Sequence, residues 1–199
     1  PLQNYISYKV AWKLVRDGAE QDEDEVVKSK AAKALVRWVR LHEHNIAQKV
    51  KVIVEHFREH VAWRLGGQAK AMVVTASREE VIRWKLAIDR YIHENHYQIG
   101  TLVAFSGDIE VKDLADLPFN EHNMNPGLHG LDIREALDSQ EYQILLVANK
   151  YQTGFDQPKL VAMYVDKKLS GVSTVQTLSR LNRTYKRGEV EKDWTVVLD

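Results

Sequence analysis

Hydrophobic positions divide the chain into two parts with different periods. From about Tyr5 to Leu65, apolar residues recur mostly three or four positions apart, and this spacing predicts amphipathic helices. Gly66 and Gly67 follow, and glycine commonly ends a helix. We therefore expect a helical extension over residues 1–66. Its apolar face consists of Leu35, Trp38, Val39, Ile46, Val50, Ile53, Val54, Phe57 and Val61.

From Gln68 onward, short apolar runs alternate with polar or amphipathic stretches. The runs predict five strands, at residues 69–76, 101–105, 143–148, 160–165 and 194–198. Capping-box spacing predicts helices that begin at Ser77 and Ser173, and Asp132 with Glu135 predicts a short helix between them. This alternation favours an α/β domain over residues 67–199, with a mostly parallel sheet and helices on both faces.

Composition narrows the class of protein without identifying a partner. The 199 residues include 28 Lys and Arg and 28 Asp and Glu, so the balanced charge does not indicate a nucleic-acid partner. The absence of cysteine excludes disulfides and thiolate metal sites and fits a reducing compartment. No apolar run reaches the roughly 18 residues of a membrane helix, so we expect no membrane partner. The chain begins at Pro1 within an ongoing pattern, and we expect it to be part of a larger protein.

Ligands of open parallel sheets bind at the carboxyl ends of the strands, so the loops there are candidate sites. The loop after the third predicted strand contains Gly154, which permits a close backbone approach, and Asp156, an acceptor suited to a ribose hydroxyl. Lys150, Gln152 and Thr153 add donors to the same loop. An ordinary loop with a glycine turn is the alternative interpretation.

The helix predicted after the fourth strand carries a second candidate group. Gln176, Arg180 and Arg183 follow one another at spacings of four and three, which predicts a shared helix face. Two guanidinium groups presented together suit a triphosphate, because each can bind oxygens at two points. The alternative is a solvated basic helix end, with Gln176 as the capping partner of Ser173.

Together the two segments form a more specific pattern. G-F-D-x-P, with Q-x-x-x-R-x-x-R about 18 residues later, resembles motifs V and VI of superfamily 2 helicases and translocases. The strings VVTASR, VANKYQTGFDQP, MYVDK and QTLSRLNR are similar to the motor subunit of type I restriction enzymes. The resemblance covers residues 68–187 and implies a RecA-like fold. It also implies that this is the second such domain of an ATP-driven translocase of double-stranded DNA.

The resemblance assigns nucleotide-binding roles to individual residues. It implies that Arg183 is an arginine finger, that Arg180 is a second phosphate contact and that Gln176 is a positioning residue. Gly154 and Asp156 would contact the ribose. The implied contacts to the DNA backbone, which carry no sequence information, are Thr75, Ser77, Arg78, Ser106, Gly107, Lys150, Gln152 and Thr153.

The sequence contains no G-x-x-x-x-G-K-[ST] phosphate loop and no Asp-Glu box. The resemblance therefore implies that a separate first RecA-like domain binds ATP and magnesium, and that this chain alone does not hydrolyse ATP. Further implied partners are a nuclease domain of the same subunit, the modification and specificity subunits, and double-stranded DNA in bacterial or archaeal cytoplasm. Another superfamily 2 helicase domain and a non-enzymatic interaction module are the alternatives.

Two other motifs suggest different chemistry. His56 and His60 have the spacing of metal ligands, but the sequence indicates no third ligand. Glu110 and Lys112 form an E-x-K string like that of restriction nucleases. That string lies in a long polar loop, Ser106 to Gly130, without a partner strand. We therefore interpret both motifs as structural and expect no metal site in this chain.

Overall fold

The computed structural model describes residues 34–148 and 155–199. The predicted helical residues before position 34, and the candidate residues Lys150, Gln152, Thr153 and Gly154, lie outside the described residues. The chain divides into two compact units between Ile46 and Ala47. The first unit contains a helix over residues 34–41. The second contains the sheet and all the described candidate residues.

A five-stranded parallel sheet forms the centre of the second unit. The strands of the described residues are β1 (Lys70–Thr75), β2 (Thr101–Ala104), β3 (Ile144–Ala148), β4 (Leu160–Asp166), β5 (Lys186–Arg187), β6 (Val190–Glu191) and β7 (Val196–Leu198). The sheet has the order β2-β3-β1-β4-β7, and each neighbouring pair is parallel. Strands β5 and β6 form a separate antiparallel hairpin. All five predicted strands are confirmed, and their carboxyl ends meet at one edge of the sheet.

Helices cover both faces of this sheet, as the alternating pattern predicts. Beyond the helix over residues 34–41, the described α-helices are α1 (Glu43–His56), α2 (Arg64–Gly67), α3 (Arg78–Glu94), α4 (Ile133–Asp138) and α5 (Val172–Leu178). A π-helix (Phe57–Val61) continues α1, and 3₁₀ turns span Pro126–Leu128 and Ser179–Asn182. Met72 and Met163 pack with Leu137 of α4 on one face. Tyr164 points to the other face, where its hydroxyl lies 3.0 Å from Nδ1 of His56 in α1.

The segment from Ala47 to Gly66 packs with the sheet. Val54, Phe57 and Val61 have no solvent exposure, and Lys49 forms a 2.5 Å ion pair with Asp166 at the end of β4. The domain boundary expected after Gly66 stays a prediction, and the compact unit that contains the sheet begins at Ala47. The physical reason is that a parallel sheet needs apolar cover on both faces, and the apolar side of α1 supplies part of it.

Helix capping follows the sequence at two of three predicted positions. The Ser77 side chain accepts from the N–H of Glu80 at 3.2 Å and caps α3, and Asp132 with Glu135 forms a complete capping box on α4. The predicted capping box of Ser173 is wrong. Helix α5 begins at Val172, and its N-cap is Gly171 at φ 54°, two residues before the predicted cap, where no side chain caps the helix. A positive φ of this kind favours glycine, which explains the start at this position.

The long loop from Ser106 to Gly130 covers the free edge of β2. The Asn125 side chain, which is 4% exposed, accepts from the N–H of Val103 at 2.8 Å and donates to its carbonyl at 2.9 Å. Glu121 accepts from the N–H of Phe105 at 3.1 Å. These side chains replace the hydrogen bonds of a neighbouring strand and protect an edge that could otherwise pair with another chain.

Replacing Asn125 with alanine should show how much its bonds to the edge strand β2 contribute to the free energy of unfolding. The variant leaves the buried N–H and carbonyl of Val103 without their side-chain partner, so we expect a loss of about 2 to 3 kcal/mol in the free energy of unfolding. Urea denaturation of the two proteins measures this difference. Asn123→Ala, in the exposed part of the same loop, is the control and should cost less than about 1 kcal/mol. Equal losses in the two variants would contradict the edge-covering role.

The Ser77 cap makes a second stability prediction. Ser77→Ala removes the oxygen that accepts from the N–H of Glu80, and we expect the free energy of unfolding to fall by about 1 kcal/mol. Ser106→Ala, at an exposed serine of the neighbouring loop, should change it by less than about 0.5 kcal/mol. Urea denaturation again distinguishes them, and an unchanged midpoint for the Ser77 variant would argue against the cap.

Candidate functional site

Arg78 connects the loops that follow β1 and β2. Its Nη1 donates to the carbonyls of Ser106 at 3.0 Å and of Asp108 at 3.1 Å. Strand β3 lies between β1 and β2, so this side chain reaches across the carboxyl end of β3. Gly107 adopts φ 72°, and an added Cβ would lie 3.4 Å from the same Nη1. The structure therefore brings together Arg78, Ser106 and Gly107, three residues for which the resemblance implies DNA contacts.

Thr75 and Ser77 occupy different environments from these three. Thr75 has no solvent exposure, and its hydroxyl lies 3.3 Å from the carbonyl of Val147 and 3.2 Å from that of Ser77. It therefore connects the ends of β1 and β3 rather than facing solvent. Ser77 is partly exposed and caps α3. Arg78, Ser106 and Gly107 are the exposed members of this group among the described residues.

The arginines after β4 do not share the helix face that their spacing predicts. Helix α5 ends at Leu178, a 3₁₀ turn follows, and Arg183 lies beyond the turn with extended backbone at φ −77° and ψ 130°. Arg180 is 6% exposed, whereas Gln176 and Arg183 are exposed. The predicted common face is wrong because the chain changes from α-helix to 3₁₀ turn and then leaves the helix before Arg183.

Arg180 is a buried cation that is held by a backbone carbonyl. Its Nε donates to the carbonyl of Gln176 at 3.2 Å, and burial lowers the pKa of Arg180 from its ordinary value. Burial, and then the positive charge of Arg180, lower the pKa of Lys167. In the described part of the chain, Arg180 forms no ion pair with a carboxylate. Because arginine stays protonated in proteins, Arg180 carries a positive charge at this position.

Arg183 lies against the segment that follows β3. Its Nε is 3.2 Å from Oδ1 of Asp156, in a pair whose side chains are 56% and 70% exposed. The segment after β3 and the segment after α5, which the sequence pattern relates by their spacing alone, are therefore in contact at Asp156 and Arg183. Such an exposed pair contributes little to stability, typically up to about 1 kcal/mol.

Lys192 is a residue of this region that the sequence analysis missed. Its Nζ donates to the carbonyl of Arg183 at 3.0 Å and to that of Pro158 at 3.3 Å. Burial lowers the pKa of Lys192 to about 8. Lys192 belongs to none of the recognised motifs. It lies nine residues beyond Arg183, directly after the hairpin of β5 and β6, and the fold of this hairpin returns it to Arg183. No sequence signal identifies it.

The residues that suggest a metal site or a nuclease centre lie in different environments. His56 lies against Tyr164 on one side, and its ring is 5.0 Å from that of His60 on the other. Glu110 is exposed beside the short antiparallel bridge between Ile109 and Phe119. Within residues 34–148 and 155–199, no group of three His, Asp or Glu side chains could hold a metal ion. The described helices also include none with the length and apolar character to cross a membrane.

Comparisons with known proteins identify the family. The family model for type I restriction enzyme subunit R domain 3 matches residues 6–198. A protein of Methanocaldococcus jannaschii that carries the name type I restriction enzyme MjaVIIP endonuclease subunit is 28% identical over 173 residues, which is 82% of this chain and 15% of the relative. The MjaIXP endonuclease subunit, named in the same way from that organism, is 30% identical over 156 residues, with 77% and 14% covered.

The chain therefore spans about a seventh of the length of these relatives.

Two solved structures are also similar. The Pyrococcus furiosus Hef helicase domain has 14% identity and a TM-score of 0.41, with 96% of this chain and 34% of that chain covered. The C-terminal part of the Fun30 ATPase domain has 12% identity and a TM-score of 0.42, with 96% and 60% covered. At these TM-scores, neither likeness supports a statement about this chain.

The family match confirms the resemblance carried by the four sequence strings, because it extends over nearly the whole chain rather than over the motifs alone. This chain belongs to the type I restriction enzyme subunit R domain 3 family.

Proposed function

We propose that this chain is the second RecA-like motor domain of an ATP-dependent translocase of double-stranded DNA, and that it supplies Arg183 as an arginine finger. The observation that carries the proposal is the meeting of the segment after α5 with the segment after β3. Arg183 and Asp156 join these two segments through a 3.2 Å ion pair, and Asp156 lies four residues before the start of β4. Family membership supports the assignment to a restriction enzyme subunit.

The two arginines fit a polyphosphate in different ways. Arg180 is a buried guanidinium held at Nε by a carbonyl, which leaves its terminal nitrogens as donors in a fixed orientation. Arg183 is exposed, and its pair with Asp156 is weak enough to exchange for a ligand of higher charge. ATP with magnesium would supply the phosphoryl group, on which an arginine stabilises charge in the transition state. Gln176 and Asp156 are exposed beside these cations and are candidates for further contacts to the nucleotide.

The DNA-binding surface proposed here is smaller than the resemblance implies. Arg78, Ser106 and Gly107 lie together and exposed, so they can contact backbone phosphates directly. Ser77 is a partly exposed neighbour whose side chain also caps α3. Thr75 contributes indirectly, since its buried hydroxyl connects the ends of the two central strands. Lys150, Gln152 and Thr153, together with Gly154 on the nucleotide side, stay predictions from the resemblance.

The sequence lacks a phosphate loop and an acidic box for magnesium, so the complete ATP site requires another domain. We propose that a first RecA-like domain of the same subunit supplies both, and that the isolated chain does not hydrolyse ATP. The nuclease domain, the modification and specificity subunits and double-stranded DNA are the further partners proposed for the assembled enzyme.

Replacement of Arg183 tests the nucleotide side of this proposal. In the full-length subunit, Arg183→Ala should reduce kcat for DNA-stimulated ATP hydrolysis by about 10³-fold or more, because it removes the charge that stabilises the transition state. DNA affinity should stay within about twofold, since the residue lies outside the Arg78 group. Steady-state ATPase assays and filter binding measure the two quantities.

Arg187→Ala is the matched control for this experiment. Arg187 is an exposed arginine four residues further on, in the hairpin strand β5. Its replacement should leave ATP hydrolysis unchanged. Near-normal turnover in the Arg183 variant would overturn the proposed role of Arg183.

A second experiment tests the DNA side. In the full-length subunit, Arg78→Ala should weaken binding to duplexes of any sequence and reduce the slope of log affinity against log salt by about one unit. Thr75→Val, which alters a buried hydroxyl of the same segment, should leave that slope unchanged. Equal slopes for Arg78→Ala and the parent protein would contradict direct phosphate contact.

A further inference from the structure

We infer that Lys192 is a positioning residue for Arg183, holding the backbone of Arg183 against the segment Phe155–Pro158; the inference rests on the proposed function of Arg183. One ammonium group joins the two segments. Its Nζ donates to the Arg183 carbonyl at 3.0 Å and to the Pro158 carbonyl at 3.3 Å. Lys192 contacts the backbone of Arg183 and leaves the side chain to its pair with Asp156.

The Pro158 end of this connection is firmly anchored. Gln157 is 5% exposed, and its Oε1 accepts from the N–H of Lys159 at 3.1 Å. Lys159 donates to the carbonyl of Asp138 at 3.1 Å and forms a 2.8 Å ion pair with its carboxylate. The segment is therefore tied to the end of α4, which packs in the core. A bond to the Pro158 carbonyl places Arg183 relative to a rigid part of the domain.

The backbone of Lys192 is fixed as well. Its N–H donates to the carbonyl of Tyr185 at 2.9 Å, at the base of the hairpin formed by β5 and β6. The side chain then crosses from the hairpin to Arg183 and Pro158. Because the backbone and side chain are both held, the ammonium has little freedom to move independently of the hairpin. Small losses of such positioning are known to reduce rates strongly when the positioned group acts in a transition state.

The charged groups around Lys192 do not pair with its ammonium, which bonds only the carbonyls of Arg183 and Pro158 among the described residues. Arg64, Glu189, Glu191 and Asp193 line a cavity of about 340 Å³ together with Lys192. Glu191 pairs with Lys186 at 3.0 Å, and Asp193 faces Arg64 at 3.9 Å. Among the described residues, Lys192 forms no ion pair. Pairing with a carboxylate therefore does not explain why a lysine occupies this position.

The side chain of Arg183 points to Asp156, and Lys159 is paired with Asp138, so neither cation competes for the two carbonyls. Burial lowers the pKa of Lys192 to about 8, so its ammonium loses its proton as pH rises through that value. The neutral amine is a weaker donor to a carbonyl than the ammonium. Positioning of Arg183 should therefore weaken above about pH 8.

Two substitutions in the full-length subunit test the inference. Lys192→Met keeps the length of the side chain and removes its donors, and kcat for ATP hydrolysis should fall about tenfold while KM for ATP stays within about twofold. Lys192→Arg keeps a cation that does not titrate, so it should retain most of the activity and lose the decline in kcat near pH 8. Lys186→Met is the control, because Lys186 is an exposed lysine of the same hairpin. It should leave kcat and its pH profile unchanged.

The results separate this inference from the proposed function. If Arg183→Ala abolishes hydrolysis while Lys192→Met keeps kcat within about twofold of the parent, the inference on Lys192 is overturned and the arginine finger is not. If Arg183→Ala hydrolyses ATP normally, the proposed function fails by itself. If thermal denaturation shows that Lys192→Met does not fold, Lys192→Arg decides: an unchanged decline of kcat near pH 8 would overturn the inference, and its loss would support it.

Discussion

The architecture depends on the need of a parallel sheet for apolar cover on both faces. Strand β1 is hydrogen-bonded on both sides, to β3 and to β4, and all six of its residues are buried. Part of α1, which precedes the sheet in the sequence, supplies some of this apolar cover. The compact unit that contains the sheet therefore begins at Ala47. The same parallel arrangement places the carboxyl ends of the strands together. Residues from distant parts of the sequence thus meet at the carboxyl ends of the strands. Strand β2 has a neighbouring strand on one side only, and the Asn125 side chain bonds its backbone on the other side.

Backbone carbonyls hold three of the cations of the candidate site. Arg78 donates to Ser106 and Asp108, Arg180 donates to Gln176, and Lys192 donates to Arg183 and Pro158. A carbonyl fixes a cation in place but does not neutralise its charge as a carboxylate does. Arg78, Arg180 and Lys192 therefore have defined positions and keep their positive charges, even though the whole chain has equal numbers of acidic and basic residues. That combination suits phosphate ligands, and it is invisible in the net charge.

Much of the fold could be predicted from the sequence because its signals are local. Apolar runs of strand length identified all five strands of the sheet, and the spacing of Ser77 with Glu80 and of Asp132 with Glu135 identified two helix starts. The prediction failed at Ser173, where a glycine with positive φ begins the helix instead. It also failed for the arginines, because helical spacing assumes that the helix continues to Arg183. The change to a 3₁₀ turn has no local signal of comparable strength.

The amino-acid sequence is enough to infer the alternation of strands and helices, the four strings that connect this chain to its family, and the positions of Arg180 and Arg183 after the fourth strand of the sheet. Which of the candidate side chains are exposed depends on the tertiary structure. It buried Thr75 and Arg180, left Arg183 beside Asp156, and brought Lys192 to the Arg183 backbone from a hairpin that no motif includes. The reason is that periodicity reports neighbours along one element, whereas these contacts join elements that only strand order brings together.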